Sequence, residues 1–179
     1  MLKAVWRKRL PLVQNIVLRI SGGLVVVTGA PRSGTSWMVR QVAKMGIPPV
    51  AKPFLREHDR IRRFNPEGFY DSKLFDVLGM EMRRACMKVW GGLLSFVSPR
   101  KVSFVIVCRR NRDDTIRSYG NLLKELGWLF PKWIARVVVD IHLNAIKKWC
   151  LTTDIPYRIV DMDNISDEVM TSIGREIWQ

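Results

Sequence analysis

The sequence predicts an α/β domain, a central parallel sheet with helices on both faces, on three observations. Short apolar, β-branched runs recur along the chain: Leu24 to Val27, 103–108 (SFVIVC) and 157–161 (YRIVD). Stretches with helical spacing alternate with them, which is the pattern of strand–helix–strand units. Two of the strands also run directly into a turn that carries cations and opens a helix, at 29–35 and at 109–114. A length of 179 residues and an apolar content of 47% fit one globular domain with its own core.

In chain order, residues 1–23 hold Lys3, Arg7, Lys8, Arg9 and Arg19 and no acid, interleaved with Val5, Trp6, Leu10, Val13, Ile16, Val17 and Ile20. Arg19 interrupts the longest apolar stretch, so the segment reads as basic and amphipathic rather than as a signal peptide. It either packs one face on the domain or lies on a membrane surface. The main domain is read as 24–179. Trp37, Met38 and Val42 mark its first helix. Residues 46–63 form a proline-rich and then basic connection carrying Glu57 and His58, and loops of this length are usually functional. In 64–71 (FNPEGFYD) a turn signal precedes Asp71 and Ser72, either of which can cap a helix with Leu74, Phe75, Leu78, Met82 and Ala85 on its apolar face. Cys86 to Trp90 reads as a second strand, carries Lys88 and ends at Gly91-Gly92. After 103–108, Asp113 and Asp114 open a helix with Ile116, Tyr119, Leu122 and Leu123 inward, acids at its positive end. Lys132 to Cys150 reads as a helix burying Ile134, Val138, Ile141, Ala145 and Trp149, with His142 on its surface or in the core. Ser166 caps the last helix, with Asp167 and Glu168 in its first turn.

The formal charge of +14 predicts an anionic ligand, nucleic acid, a polyanionic acceptor or an acidic membrane surface, and does not choose among them. Cys86, Cys108 and Cys150 lack the spacing of a zinc site or a disulfide frame, so they read as reduced core residues of a cytoplasmic protein, with no metal site.

The chemistry concentrates at the first junction. Gly29, Pro31, Ser33 and Gly34 fall within six residues between a strand and a helix. Such a turn lets the backbone approach an anion closely and aims the first N–H groups of the helix at it. The phosphate-loop pattern G-x-x-x-x-G-K-S/T fits Gly29 to Ser36 except that Thr35 replaces the lysine. That lysine reaches the β/γ-phosphates of a nucleoside triphosphate, so its loss argues against an ATPase or kinase. Arg32, inside the loop, is placed instead to neutralise charge on a departing phosphate. The junction at Arg109, Arg110 and Arg112 reads as a second anion subsite.

These motifs resemble those of the sulfotransferases that use 3′-phosphoadenosine 5′-phosphosulfate (PAPS), in a compact form. Their Pro-Lys/Arg-Ser-Gly-Thr-Ser/Thr-Trp loop is matched by Pro31, Arg32, Ser33, Gly34, Thr35, Ser36 and Trp37. Their 3′-phosphate motif, an arginine at a strand end, an acid four residues on and a serine four beyond, is matched by Arg110, Asp114 and Ser118, with Arg112 where the family usually has proline. NPEGFYD and YRIVDMDNI also sit where the family has comparable segments, so the resemblance covers roughly 24–175.

The resemblance implies a P-loop-NTPase-like three-layer sandwich and transfer of a sulfuryl group from PAPS, releasing 3′,5′-adenosine bisphosphate (PAP), without a metal. Arg32 would hold the bridging 5′-phosphate oxygen, and Ser33, Gly34, Thr35 and Ser36 would supply N–H and hydroxyl groups. Trp37 would stack near the adenine, and Arg110 and Ser118 would bind the 3′-phosphate. The acceptor would be a hydroxyl or amine, with the basic charge favouring an acidic one. Cytosolic members carry a histidine base two residues after the lysine of the second strand; Trp90 stands there after Lys88. The candidate bases are therefore Asp71, then Glu57, His58 and Glu67, while Lys88 either assists the transferring group or lies at a strand edge. Many members also close the nucleotide with a C-terminal Gly- and Lys/Arg-containing loop, and the chain stops at Gln179 soon after the last helix. The expectation is a minimal form, or a donor covered by a neighbouring subunit or a basic segment. Two rivals stand beside this reading: a nucleotide-dependent phosphoryl transferase, and a protein binding nucleic acid or membrane through 1–23 and 52–63 with a relict donor site.

Overall fold

The structure, a computed structural model, describes residues 23–50, 84–128 and 130–179. Strands β1 (Leu24–Gly29), β2 (Ala85–Trp90), β3 (Val102–Arg109) and β4 (Tyr157–Asp161) form an all-parallel sheet in the order β2-β1-β3-β4. Helices α1 (Thr35–Lys44), α2 (Arg112–Glu125), α3 (Lys132–Thr152) and α4 (Asp167–Trp178) accompany it. Residues 1–22, and with them nearly all of the basic N-terminal segment, lie outside the described residues, as does 51–83, on which the expected turn and helix and most of the expected connection fall. No helix among the described residues is long and apolar enough to cross a membrane.

The sheet forms where it does because its strands are apolar on both faces. All six positions of β1 are buried. Leu24 and Val26, with Val105 and Val107 of β3, meet Leu94, Ile146 and Trp149 on one face. Val25 and Val27, with Phe104 and Ile106, meet Met38, Val39 and Val42 of α1 and Ile173 and Ile177 of α4 on the other. Each such side chain contributes about 1.5–3 kcal/mol through burial, which is why the strands read as continuous apolar runs. Cys86, Cys108 and Cys150 are free and buried, as expected of core residues. Burial pushes their thiols up, so they pack as small apolar groups.

The strand order creates a reversal. From β1 the chain reaches β2 on one side, then returns to place β3 on the other side of β1 and β4 beyond it. Register aligns Trp90, Gly29 and Cys108 across the carboxyl ends of three strands, and Arg109 with Asp161 one step further. In open parallel sheets the crevice at such a reversal is where ligands bind.

One reading of the helices needs correction, and one cap is added. The inward face of α3 is Ala135, Val139, His142, Ile146, Trp149 and Cys150, whereas Ile141 is 56% exposed. Apolar residues occur almost all round this helix, so their spacing alone does not select the buried side. The N-cap of α2 is Asn111, whose Oδ1 accepts from the N–H groups of Asp113 (3.0 Å) and Asp114 (3.2 Å). Ser166 caps α4 as expected, its Oγ accepting from Val169 N at 3.4 Å.

His142 is a core residue with a definite task. Its Nδ1 accepts the Gly92 N–H at 2.8 Å, fixing the 3-10 turn Gly91–Phe96 that follows β2. A Cβ at Gly91 would lie 2.6 Å from the His142 carbonyl oxygen and 2.7 Å from Ile146 Cδ1, so glycine permits the close approach of α3. Gly91→Ala is expected to cost about 1–3 kcal/mol in urea unfolding. Burial also lowers the pKa of His142 from the ordinary 6.5. The unfolded chain then binds the proton more readily, so the contribution is complete above pH 6.5 and is lost as pH falls through that value toward the lower folded one. Unfolding measured from pH 8 to 5 should show this loss, and His142→Gln should flatten it.

Candidate functional site

The first cradle follows from backbone geometry. Ser33 N donates to Ala30 O at 3.1 Å and closes a tight turn. Arg32 sits within it at φ 71°, a left-handed conformation that costs a non-glycine residue about 1 kcal/mol or more. Gly34, at φ 86°, then turns the chain into α1, where the Met38 N–H donates to its carbonyl at 3.1 Å. Gly34, at the N-cap, has no side chain with which to cap α1, and the first turn of α1 holds no acid. Its leading N–H groups therefore keep their positive field toward the crevice, as an anion site requires.

The second junction lies beside the first because β3 pairs with β1. Arg32 Nε donates to Ser118 Oγ of α2 at 3.3 Å, which ties the loop after β1 to the helix after β3. Arg110 Nε donates to Asp163 Oδ1 at 3.0 Å, and Asn111 N donates to Asp163 Oδ2 at 2.8 Å. From β2, Lys88 Nζ donates to Ser36 Oγ at 3.2 Å. Burial lowers the pKa of the Arg32 guanidinium, and the nearby Arg110 charge lowers it further. Two arginines thus repel each other across one crevice, and an anion between them relieves that repulsion.

The crevice has a volume of about 740 Å³, and Arg32, Gly34, Thr35, Ser36, Trp37, Lys88 and Arg110 all line it. This is within the roughly 300–1,000 Å³ typical of small-molecule sites. Its opposite wall is apolar and aromatic, formed by Tyr119, Leu122, Leu126 and Trp128 of α2 and the turn after it, with Trp90 at the end of β2. Trp90 meets the His142 ring edge-on at 6.0 Å between centroids.

Two of the expected binding residues sit behind the lining. Ser33 is 2% exposed, its N–H is spent on the turn, and its Oγ finds no hydrogen-bond partner among the described residues. Ser118 touches the site through Arg32. Asp71, Glu57, His58 and Glu67 lie outside the described residues. Sequence reasoning did not single out Asp163 or the apolar wall. The wall carried a signal, since Tyr119, Leu122 and Leu126 recur at helical spacing, but the expectation placed such residues in the core.

The turn after β4 closes the site. Met162 N donates to Arg109 O at 2.7 Å, and Met162 covers Gly34 so closely that a Cβ there would lie 2.7 Å from its Cε. No family model and no curated protein sequence matches the chain. Gly34→Ala should lower stability by about 1–2 kcal/mol, from the left-handed backbone alone. Thermal unfolding of the variant beside an alanine substitution in exposed α3 checks this.

Proposed function

We propose that the chain is a P-loop-like sulfotransferase that binds PAPS in this crevice and transfers its sulfuryl group to a hydroxyl or amine acceptor. One observation carries the reading: Arg32 and Arg110, from the turns after two adjacent parallel strands, line the same crevice, and the Arg110 charge adds to the burial that lowers the Arg32 pKa. A nucleotide phosphorylated at two separate positions matches two cationic subsites joined by one cleft. PAPS supplies a sulfuryl group on a phosphate leaving group.

The residues divide the work by position. Arg32 and the leading N–H groups of α1 hold the 5′-phosphate and neutralise charge on its bridging oxygen as the S–O bond breaks. Lys88, poised on Ser36 at the same end, steadies the transferring group. Arg110 takes the 3′-phosphate, and Ser118 acts through Arg32 by fixing its guanidinium. The aromatic and aliphatic wall receives adenine or acceptor. In-line transfer needs the acceptor oriented opposite the leaving phosphate, which is the service a preformed cleft performs. Removal of the acceptor proton is assigned to Asp71, with Glu57 and His58 behind it. Thr35 in place of the phosphate-loop lysine disfavours the phosphoryl-transferase alternative.

Calorimetric titration with PAP, 5′-AMP and Mg-ATP tests the proposal. PAP is expected to bind at least about tenfold more tightly than 5′-AMP, a difference of about 1.4 kcal/mol. Arg110→Ala should erase that difference, and Arg32→Ala should weaken both ligands. Equal affinity for PAP and 5′-AMP in the native chain would sink the reading. A preference for Mg-ATP would favour the phosphoryl transferase instead. Salt-sensitive binding of polyanions that both substitutions leave intact would favour the nucleic-acid or membrane reading.

A further inference from the structure

We propose that Asp163 is a built-in competitor, a carboxylate that occupies the second anion subsite and must yield to the phosphate that binds there. The inference rests on the two-subsite reading of the crevice. Its basis is a donor set. The two carboxylate oxygens accept from the Arg110 guanidinium (3.0 Å) and from the Asn111 backbone N–H (2.8 Å), where the chain enters α2. A guanidinium and a backbone N–H at a helix entrance are the groups that also hold phosphate oxygens. Asp163 thereby presents to this subsite the charge and geometry of a weak anionic ligand.

The pair is built to exchange. Its side chains are 39% and 36% exposed, and ion pairs at such exposure contribute little. The turn that carries Asp163 is held without its carboxylate. Met162 N donates to Arg109 O at 2.7 Å, Asp163 N donates to Asp161 Oδ1 at 3.2 Å, and Asn164 Nδ2 donates to Asp161 Oδ2 at 3.2 Å. The side chain can swing aside while the backbone stays.

Displacement makes the subsite selective by charge. A dianionic phosphate monoester gains more from Arg110 than the singly charged carboxylate that it replaces. A monoanion gains no more than Asp163 already does and still meets its negative charge. Asp163 therefore restricts the subsite to terminal phosphates and lowers their affinity, which speeds release of a doubly phosphorylated product.

The test titrates the full chain and Asp163→Asn with PAP, 5′-AMP and inorganic phosphate. Asp163→Ser serves as a second variant, and circular dichroism verifies each fold. Removing the charge should tighten PAP by about fivefold, the scale of an exposed ion pair, and leave 5′-AMP within twofold. Inorganic phosphate should also tighten. PAP and phosphate affinities that stay the same or weaken would overturn the proposal, because a residue that merely positions Arg110 would weaken binding when lost. Should the native chain treat PAP and 5′-AMP alike, the sulfotransferase reading fails, and inorganic phosphate alone decides on Asp163: a gain in the variants upholds the competitor, and no gain removes it.

Discussion

The site depends on the pairing of β1 with β3, since this register sets two strand-to-helix turns side by side. Parallel strands end on one edge of the sheet. The reversal of strand order then sends the chain away from that edge toward opposite faces, α1 on one and α3 on the other. A crevice is left between the departing turns. Nothing in the crevice itself has to hold it open, because Val25, Val27, Phe104 and Ile106 fix the two strands from below. Loops over so rigid a floor can take strained or charged arrangements that a free turn would abandon.

Electrostatics at this edge is unbalanced in a directed way. Arg32, Lys88 and Arg110 converge on one cavity, and burial already disfavours the charge on Arg32. Cations brought this close repel one another, and on the proposed reading an anion entering the cavity would relieve that repulsion. Hydroxyls and one carboxylate meet the cations meanwhile: Ser118 on Arg32, Ser36 on Lys88, Asp163 on Arg110.

Much of the fold was legible in the chain because its central strands β1 and β3 are buried on both faces and announce themselves as unbroken apolar runs. The two strand-to-helix turns were legible for a related reason: each apolar run stops at glycine or arginine and helical spacing begins within a few residues. The buried side of α3 was not, because Trp133, Val137 and Ile141 make its outward side almost as apolar as its inward one. Asn111 was hidden as a cap by the acids two and three residues after it, which suit the helix dipole equally well. Ser33 looked like a ligand from its place in the loop, but the turn closed by its own N–H directs its hydroxyl inward. Asp163 had no local signal, since its partner Arg110 is 53 positions away. Such pairs belong to topology rather than to spacing.

The left-handed backbone of Arg32 separates two demands that usually coincide. Chain geometry at that position favours glycine, whereas the side chain present is an arginine that lines the crevice. Arg32→Gly would relax the turn and remove a half-buried charge in one step, so a chain without the proposed anion site would melt at a higher temperature than its parent. Thermal robustness alone would favour that replacement; what opposes it is the anion binding proposed for the crevice.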